Sequence, residues 1–493
     1  MADIQDNPNI ITQAGDYNLN TIKILSYRKS DSEGRMYEID IKPITMNIEL
    51  TEDIFSGFIH GSILVYDSQD VRSILPITGL EKLELSFNTP GLPGVNAVRD
   101  EGHPYYIYKI EGAQQDKTNP RAQYYQIYFC SKEMYFNSFN RISKAFAGQI
   151  EEGVQKILHD KDGLNSKKKF IFEPTKTNTK FVIPNLKPFD AIKLMSDSAV
   201  SGVYNNAGYV FYEATNGFFF RSVESMLALG GAIARPAVFR YNYQITNTSD
   251  ADVENDLKNV IRYEFLRPAN VIYNLNEGMI ASKLFTQDSF YKTITENNFD
   301  YLNSYDQYFH TEHDQGFKSK SKGLLPLANF EDTNKDLSQQ YNAKLMTASN
   351  TSKIHNDYEF IDQGRTVQNR LSQRLQMRNV NLSLQVYGNT LLHAGDIIYF
   401  DMPLMRPLLD DKKRSQPNPY WSGRYLIMSI KHNISVIDER HEMSLKCMKD
   451  AVRNDFDSET ERSMINEREY NTKILDLYEL DKELIKDDIL TGL

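Results

Sequence analysis

Apolar residues recur at every second position from Tyr37 through Ile39 and Ile41, then change phase to Ile44, Met46, Ile48 and Leu50. Alternation is the signature of a strand with one buried face, and a one-residue slip at Lys42-Pro43 predicts a bulge or bend. Further strands are expected at 58–66, 80–87, 105–111 and 124–129, separated by turn chemistry at 67–70 and 89–94. Several short strands with such punctuation predict a barrel or sandwich over 17–135, preceded by a polar arm at 1–16.

The period then changes. Ile150, Val154, Ile157 and Leu158 share one helical face, and Asp162-Gly163 follows as a stop signal. A second helix is expected to begin at Pro188 and bury Phe189, Ile192, Met195 and Ala199. A hairpin should follow, with strands at 209–213 and 218–223 around Asn216-Gly217. Residues 136–232 therefore read as an α+β insert.

Strands return over 233–310, notably at 271–275 and 281–286, and are expected to complete the first barrel and form a linking domain. Residues 311–360, rich in Lys, Asn, Ser and Thr, predict an extended surface excursion. A helix carrying Val367, Leu371 and Leu375 closes the 311–378 segment. A second barrel is expected over 379–450. There Leu382, Leu384 and Val386 alternate, Gly388-Asn389 turns, and Gly395-Asp396 introduces a strand at 397–400. Beyond a Pro-rich loop at 403–419, strands at 425–434 and 441–449 complete it. The charged tail, 451–493, spaces Ile474, Leu477, Tyr478, Leu484 and Ile485 at roughly helical intervals, a narrow stripe that needs a partner.

Composition narrows the function classes. Among 493 residues there are 30 Tyr and 26 Phe against one Trp, a bias toward half-buried sheet surfaces and large contacts. The formal charge is -10, with no long basic stripe of the kind that grips nucleic acid. Lys167-Lys168-Lys169 and Lys412-Lys413-Arg414 read as solvated loops. Cys130 and Cys447 are too few and too far apart for a disulfide framework. The first ten residues lack an apolar core, and no run of 18 apolar residues occurs, so neither a signal peptide nor an integral membrane segment is expected.

His310-Thr-Glu-His313 lacks the four-residue spacing of zinc-protease histidines and reads as solvated histidines in a polar stretch. Asp160-Lys-Asp162-Gly163 opens like a calcium loop, but the twelfth position is Ile171 where a bidentate Glu is required. Gly230-Gly231 lacks the spacing and following Lys of a phosphate loop, and no G-x-S-x-G occurs. With 66 acidic residues a glycosidase-like carboxylate pair is always conceivable, yet none stands out. No enzyme, cofactor or metal is expected.

Four segments, in order, carry a resemblance. The first is 47–75, a strand, a loop, a second strand and a short helix. The second is 139–158 with 181–199, where Phe181-Val-Ile-Pro184 and Pro188-Phe189-Asp-Ala-Ile192 lead toward the hairpin. The third runs from Gly278-Met-Ile-Ala-Ser282 to Phe299-Asp300-Tyr301. The fourth joins Leu384-Gln-Val-Tyr-Gly-Asn389, Ala394-Gly-Asp396 and Ser422-Gly-Arg-Tyr-Leu-Ile427. In it, Gly388 and Gly395 suit turns needing positive φ, Asp396 can bond the local backbone, Gly423 precedes a strand, and Tyr425 and Ile427 should enter a barrel core.

In this order, over residues 37–450, the chain resembles the central baseplate hub proteins of contractile-tailed bacteriophages. These are relatives of late-control proteins and of the hub part of type VI secretion spikes. The resemblance implies an α+β, mainly β protein with two tube-protein-like antiparallel barrels, an inserted α+β domain and a small linking domain; the helical C-terminal tail is expected from its own spacing and has no counterpart in that family. It implies a homotrimer whose six barrels form a pseudo-sixfold ring, seating a hexameric tail tube on one side and a trimeric central spike on the other. Tape-measure and baseplate wedge proteins are further expected partners, with DNA met only in transit. The expected location is the virion tail baseplate, after assembly in the host cytoplasm. Three copies at -10 give a formal -30, so an acidic lumen that repels passing DNA is expected. A tail fibre or receptor-binding protein, and a tail-associated peptidoglycan hydrolase, are the alternatives.

Overall fold

The structure, a computed structural model, describes residues 11–451. Excepted are 31, 33, 35, 100–102, 177, 229–236, 244–252, 268–269, 289–290, 313–335, 351–362, 404–417 and 419. The expectations for the first ten residues, Gly230-Gly231, His313, 318–322, 412–414 and the tail from 452 lie outside these residues.

The first module contains β1 (Asn18–Ser30), β2 (Met36–Asp40), β3 (Thr45–Asp53), β4 (His60–Asp67) and a short helix α1 (Val71–Ile74). It continues through β5 (Lys82–Asn88), β6 (Val95–Ala97), β7 (Tyr105–Gln115) and β8 (Gln123–Cys130). The antiparallel order is β3-β4-β8-β7-β5-β1-β2, with β6 on β5. The phase slip at Lys42-Pro43 is not a bulge. A 3-10 turn over Lys42–Ile44 separates β2 from β3, because proline has no amide hydrogen to give a continuing ladder. Tyr37, counted above as inward, is 52% exposed on the edge strand β2.

The insert begins with α2 (Lys132–Phe139), β9 (Ile142–Gln149) and α3 (Ile150–His159). Next come β10 (Phe170–Phe172), β11 (Asn178–Leu186), α4 (Pro188–Ser198), β12 (Tyr209–Ala214), β13 (Gly217–Ser222) and α5 (Val223–Leu227). Val154, Ile157 and Leu158 of α3 meet Ile192 and Met195 of α4 over Tyr209, Phe218 and Phe220 of the hairpin. Both helical stripes and the hairpin stand where periodicity placed them.

Two strands that follow overturn an expectation. β14 (Ala237–Asn242) runs parallel to β20 (Ile397–Asp401), and β15 (Val260–Arg267) runs antiparallel to β19 (Asn381–Tyr387). They extend the second module and not the first, because Tyr241 and Val260 fill a core made by Leu384, Phe400, Tyr425 and Leu445. Between β14 and β15 lies α6 (Val253–Lys258).

The apolar run at 271–275 is also helical, forming α7 (Val271–Glu277). The Asn270 side chain accepts from Tyr273 N at one end, and Gly278 at φ 87 closes the other. Caps at both ends outweigh the strand propensity of Val-Ile-Tyr, and Ile272 is left 75% exposed. A three-stranded sheet in the order β17-β16-β18 then gathers β16 (Ala281–Asp288), β17 (Thr293–Asp300) and, after α8 (Tyr301–Ser304), β18 (Leu345–Asn350). Part of the expected excursion is thus sheet: β18 pairs in parallel with β16. Helix α9 (Gln363–Gln376) covers this sheet and leads into β19, β20, β21 (Gly423–Ser435) and β22 (Arg440–Met448).

The two modules share one sheet. β21 pairs with β22 on one side and with β3 on the other, giving the path β15-β19-β22-β21-β3-β4-β8-β7-β5-β1-β2. Cys130 and Cys447 are free and buried, and burial pushes the Cys130 thiol up to about 12.

Candidate functional site

The junction of β21 with β3 fixes how the modules stand to each other. Seven partners run from Ser429↔Asp53 to Ser435↔Asn47 without a shift. Side chains alternate between faces, so this register sorts the seam into two layers. Below lie Ile48, Leu50, Ile430 and Ile434, all buried. Above lies a polar face that continues far beyond the seam.

Its rows can be followed partner by partner. One runs Arg262, Gln385, Ser444, Lys431, Thr51, His60, from β15 to β4. The next runs Tyr387, Glu442, Asn433, Glu49, Ser62, Tyr128, Lys109, from β19 to β7. A third begins at Glu264 and passes Ser383, Lys446 and Ser429 to Asp53. A fourth links Arg440, Ser435, Asn47, Leu64, Gln126 and Glu111. Eight strands from both modules therefore present one surface of amides, hydroxyls and charges.

The charges on that surface cancel. The bases are Arg262, Lys431, Arg440, Lys446 and Lys109, and the acids are Glu264, Glu49, Glu442, Asp53 and Glu111. Four are matched locally: Lys431 with Glu49 at 2.8 Å, Lys109 with Glu111 at 2.6 Å, Arg440 with Glu442 at 3.7 Å and Arg262 with Glu264 at 3.8 Å. Lys446 stands two strands from Asp53 in the same row; burial raises the Asp53 carboxyl, and Lys446 opposes that only in part. Exposed pairs of this kind add little stability. What they do is set an acid beside four of the five bases.

Beneath the seam a buried network ties three parts of the chain together. Glu52 accepts from Thr215 N at 3.0 Å and from Ala394 N at 3.0 Å. His393 Nδ1 lies 3.8 Å from Glu52 Oε1 and 3.0 Å from Thr215 Oγ1. Burial raises the Glu52 carboxyl, but the imidazole and the two amides outweigh it and hold it down at about 2. Thr89 of the first module and Thr390 of the second exchange backbone-to-hydroxyl bonds of 3.1 and 3.2 Å.

The insert is fastened by charge. Lys168 lies between Glu133 of α2, at 3.3 Å, and Glu213 of β12, both carboxylates nearly inaccessible and the lysine partly buried. Glu213 also accepts from Ser131 Oγ at 2.5 Å and Ile59 N at 3.0 Å, which anchors it to the first module. Burial together with the charge of Glu133 raises the Glu213 carboxyl against the pull of Lys168. Lys168 is thus no solvated loop residue. A lysine run hides such a partner, since its two glutamates come from sites 35 and 45 residues away.

His310 is likewise not solvated. Its ring stacks on Tyr305 at 3.8 Å, Nδ1 is 2.8 Å from Asp450 Oδ2, and Nε2 donates to the Tyr305 carbonyl at 3.1 Å. Next to it, Glu312 accepts from Lys449 Nζ at 3.0 Å and Arg424 N at 2.7 Å. Among the described residues no group of three or more His, Cys, Asp or Glu is placed to hold a metal.

The five residues singled out from sequence lie around the second module. Asp396 accepts from His393 N at 2.9 Å, a local turn bond. Tyr425 is fully buried and donates to the Trp421 carbonyl at 2.6 Å. Gly395 at φ 92 and Gly423 at φ 135 occupy backbone conformations that side chains disfavour. Gly388 needs no positive φ. It is glycine because a Cβ there would overlap the His441 ring. The polar rows, Lys168 and Glu52 were not singled out. Alternation at 381–387 and 440–448 carried a signal for the rows, but strand order, which assembles them, is absent from any local pattern.

Neither a family model nor a curated protein matches the sequence. Among solved structures, the chain is similar to a tail protein from Neisseria meningitidis MC58, with 9% identity over 88% of this chain and 97% of that one, at a TM-score of 0.49. It is similar to the 43 kDa tail protein of prophage MuSo2 from Shewanella oneidensis, with 9% identity over 87% and 98% of the two chains and a TM-score of 0.44. A component of the type VI secretion system of E. coli is similar at 10% identity over 89% and 79%, with a TM-score of 0.40.

Proposed function

We propose that this chain is a structural baseplate hub protein that forms a homotrimeric, pseudo-sixfold ring, adapting a trimeric central spike to a hexameric tail tube. The observation that carries it is the largely polar face spanning both modules. A chain that offers two strand-built modules at a fixed angle can present six wall segments from three copies. The seam at β21 and β3 sets that angle, and the network at Glu52 and the threonine exchange stiffen it.

The polar face lines the lumen, and DNA passes along it during ejection. Duplex DNA binds non-specifically when free cations displace its counterions. On this face five bases are offset by five acids, so the wall offers no net attraction. The part is structural and not catalytic.

The test is direct. The purified full chain is weighed in solution, alone and with its spike, and imaged as averaged particles. A three-chain ring with an axial hole of duplex width supports the proposal. A monomer in both settings, a peripheral position in tagged tails, or cell-wall clearing in a zymogram overturns it.

A further inference from the structure

Helix α9 stands between the insert and the three-stranded sheet. Toward the sheet, Gln368 Nε2 donates to the Ser282 carbonyl at 3.0 Å and Ser372 Oγ to the Met279 carbonyl at 2.7 Å. Toward the insert, Arg374 meets Asp197 at 2.9 Å, and Gln373 Nε2 donates to Glu224 Oε1 of α5 at 3.1 Å. Asn206 Nδ2 donates to the same Oε1 at 2.6 Å. Two atoms of this cluster remain, Glu224 Oε2 and Gln373 Oε1, both buried and both without a partner.

As drawn with an ionised carboxylate, both are acceptors, and an unmet buried acceptor is costly. The two planar groups are already joined through Nε2 and Oε1. Their remaining oxygens can satisfy each other only if one carries hydrogen, and an amide oxygen cannot. We propose that Glu224 is held as the neutral carboxylic acid, its Oε2–H donated to Gln373 Oε1, so that one proton fastens the insert to α9. Among the described residues no cation competes for the role. Arg221 is turned to Ser225, and Arg370 and Arg374 are taken by Asp197. The neighbouring acid, Glu173, is occupied by Ser201 and by Ser222 N at 2.7 Å, and its charge disfavours a second anion. Burial, chiefly, pushes the Glu224 carboxyl up to about 8, against the donations from Asn206 and Gln373.

The joint is therefore proton-dependent, and it stands apart from the proposed role in a tail. The folded chain holds this proton from roughly pH 4.5, where a free glutamate loses it, to about 8. Stability contributed by the joint falls across that window as pH rises and is fully lost above it.

The test compares full-length wild type with Glu224→Gln, whose amide supplies the hydrogen at every pH. Thermal midpoints are taken from pH 5 to 9. The expected result is a gap that shifts in favour of Glu224→Gln as pH rises and levels off above about 8. Infrared difference spectra should show a protonated-carboxyl stretch in wild type at pH 7, absent from Glu224→Gln and displaced in Gln373→Leu. A pH-independent gap, or a wild type with no carboxyl stretch that Gln373→Leu displaces, overturns the proposal. Should Glu224→Gln fail to fold, the wild-type and Gln373→Leu spectra decide alone.

Discussion

His432 Nδ1 lies 3.1 Å from His441 Nε2 in the apolar layer under the seam, and Phe87 of the first module sets a ring edge against both. Both imidazoles are fully buried, with Gly388 closing over the second. Burial, eased only in part by Glu52, lowers His432 to about 4, and burial, with the neighbouring His432, also holds His441 well below the usual histidine range. Neutral rings share one hydrogen comfortably; among the described residues a charged one has no anion within reach of a hydrogen bond.

This predicts acid lability of the seam. An unfolded histidine takes up a proton near pH 6.5, while folded His432 resists until about 4. Stability is then full above about 6.5 and declines by about 3 kcal/mol as pH falls to 4. Urea midpoints at pH 7.5, 5.5 and 4.5 should show this decline, and His432→Leu should shed roughly one proton's worth of it. Equal slopes for both proteins would place the lability elsewhere. The Glu52 contribution occupies a lower window, from about 4.5 to about 2.

Lys168 bridges two buried carboxyl groups at once. Lys168→Met strands Glu133 and Glu213 beneath the insert, and breaking such a buried set costs about 3–5 kcal/mol. Chemical denaturation is expected to show that loss, with Lys168→Met/Glu133→Gln/Glu213→Gln recovering most of it. If the single substitution is neutral, water reaches the cluster and its burial is overstated.

How much of this could be seen in the chain follows from the range of the forces. Alternation at 382–386 and the helical stripe at 150–158 report local faces, so strands, helices and the Tyr209–Ala214 hairpin arm were legible. The Val271–Glu277 helix was not, because caps of one residue at each end decided against an apolar run that suits either state. Sites built from distant parts were hidden altogether. Glu52 meets Ala394 across 342 residues, and no short window holds both. His310 was mistaken for a solvated residue since Asp450, its partner, lies 140 positions on.

Gly395 combines a strained conformation with a close neighbour. At φ 92 a side chain is disfavoured, and an added Cβ would overlap the Tyr212 hydroxyl. Gly395→Ala is expected to cost about 2–4 kcal/mol, the strain alone being worth about 1–3. Pairing it with Tyr212→Phe removes the oxygen and should return part of the loss. A double variant no better than the single one would assign the whole cost to backbone strain.

Neutrality of the polar face is the property most open to reversal. Glu49 and Glu442 flank Asn433 in one row, and they offset Lys431 and Arg440 respectively. Changing both to lysine adds two cations and frees two more, turning a balanced row into a basic stripe across the seam. Each phosphate so engaged steepens the salt dependence of binding by about one unit of log–log slope. Fluorescence anisotropy with a short duplex in low salt should therefore find negligible binding by wild type and at least roughly tenfold tighter binding by Glu49→Lys/Glu442→Lys, lost again as salt rises. The folded state should hardly notice, because exposed pairs at this surface contribute little to stability. Tight binding by the unmodified chain would mean that its cations are free, and a wall meant for passing DNA could not be made of this face.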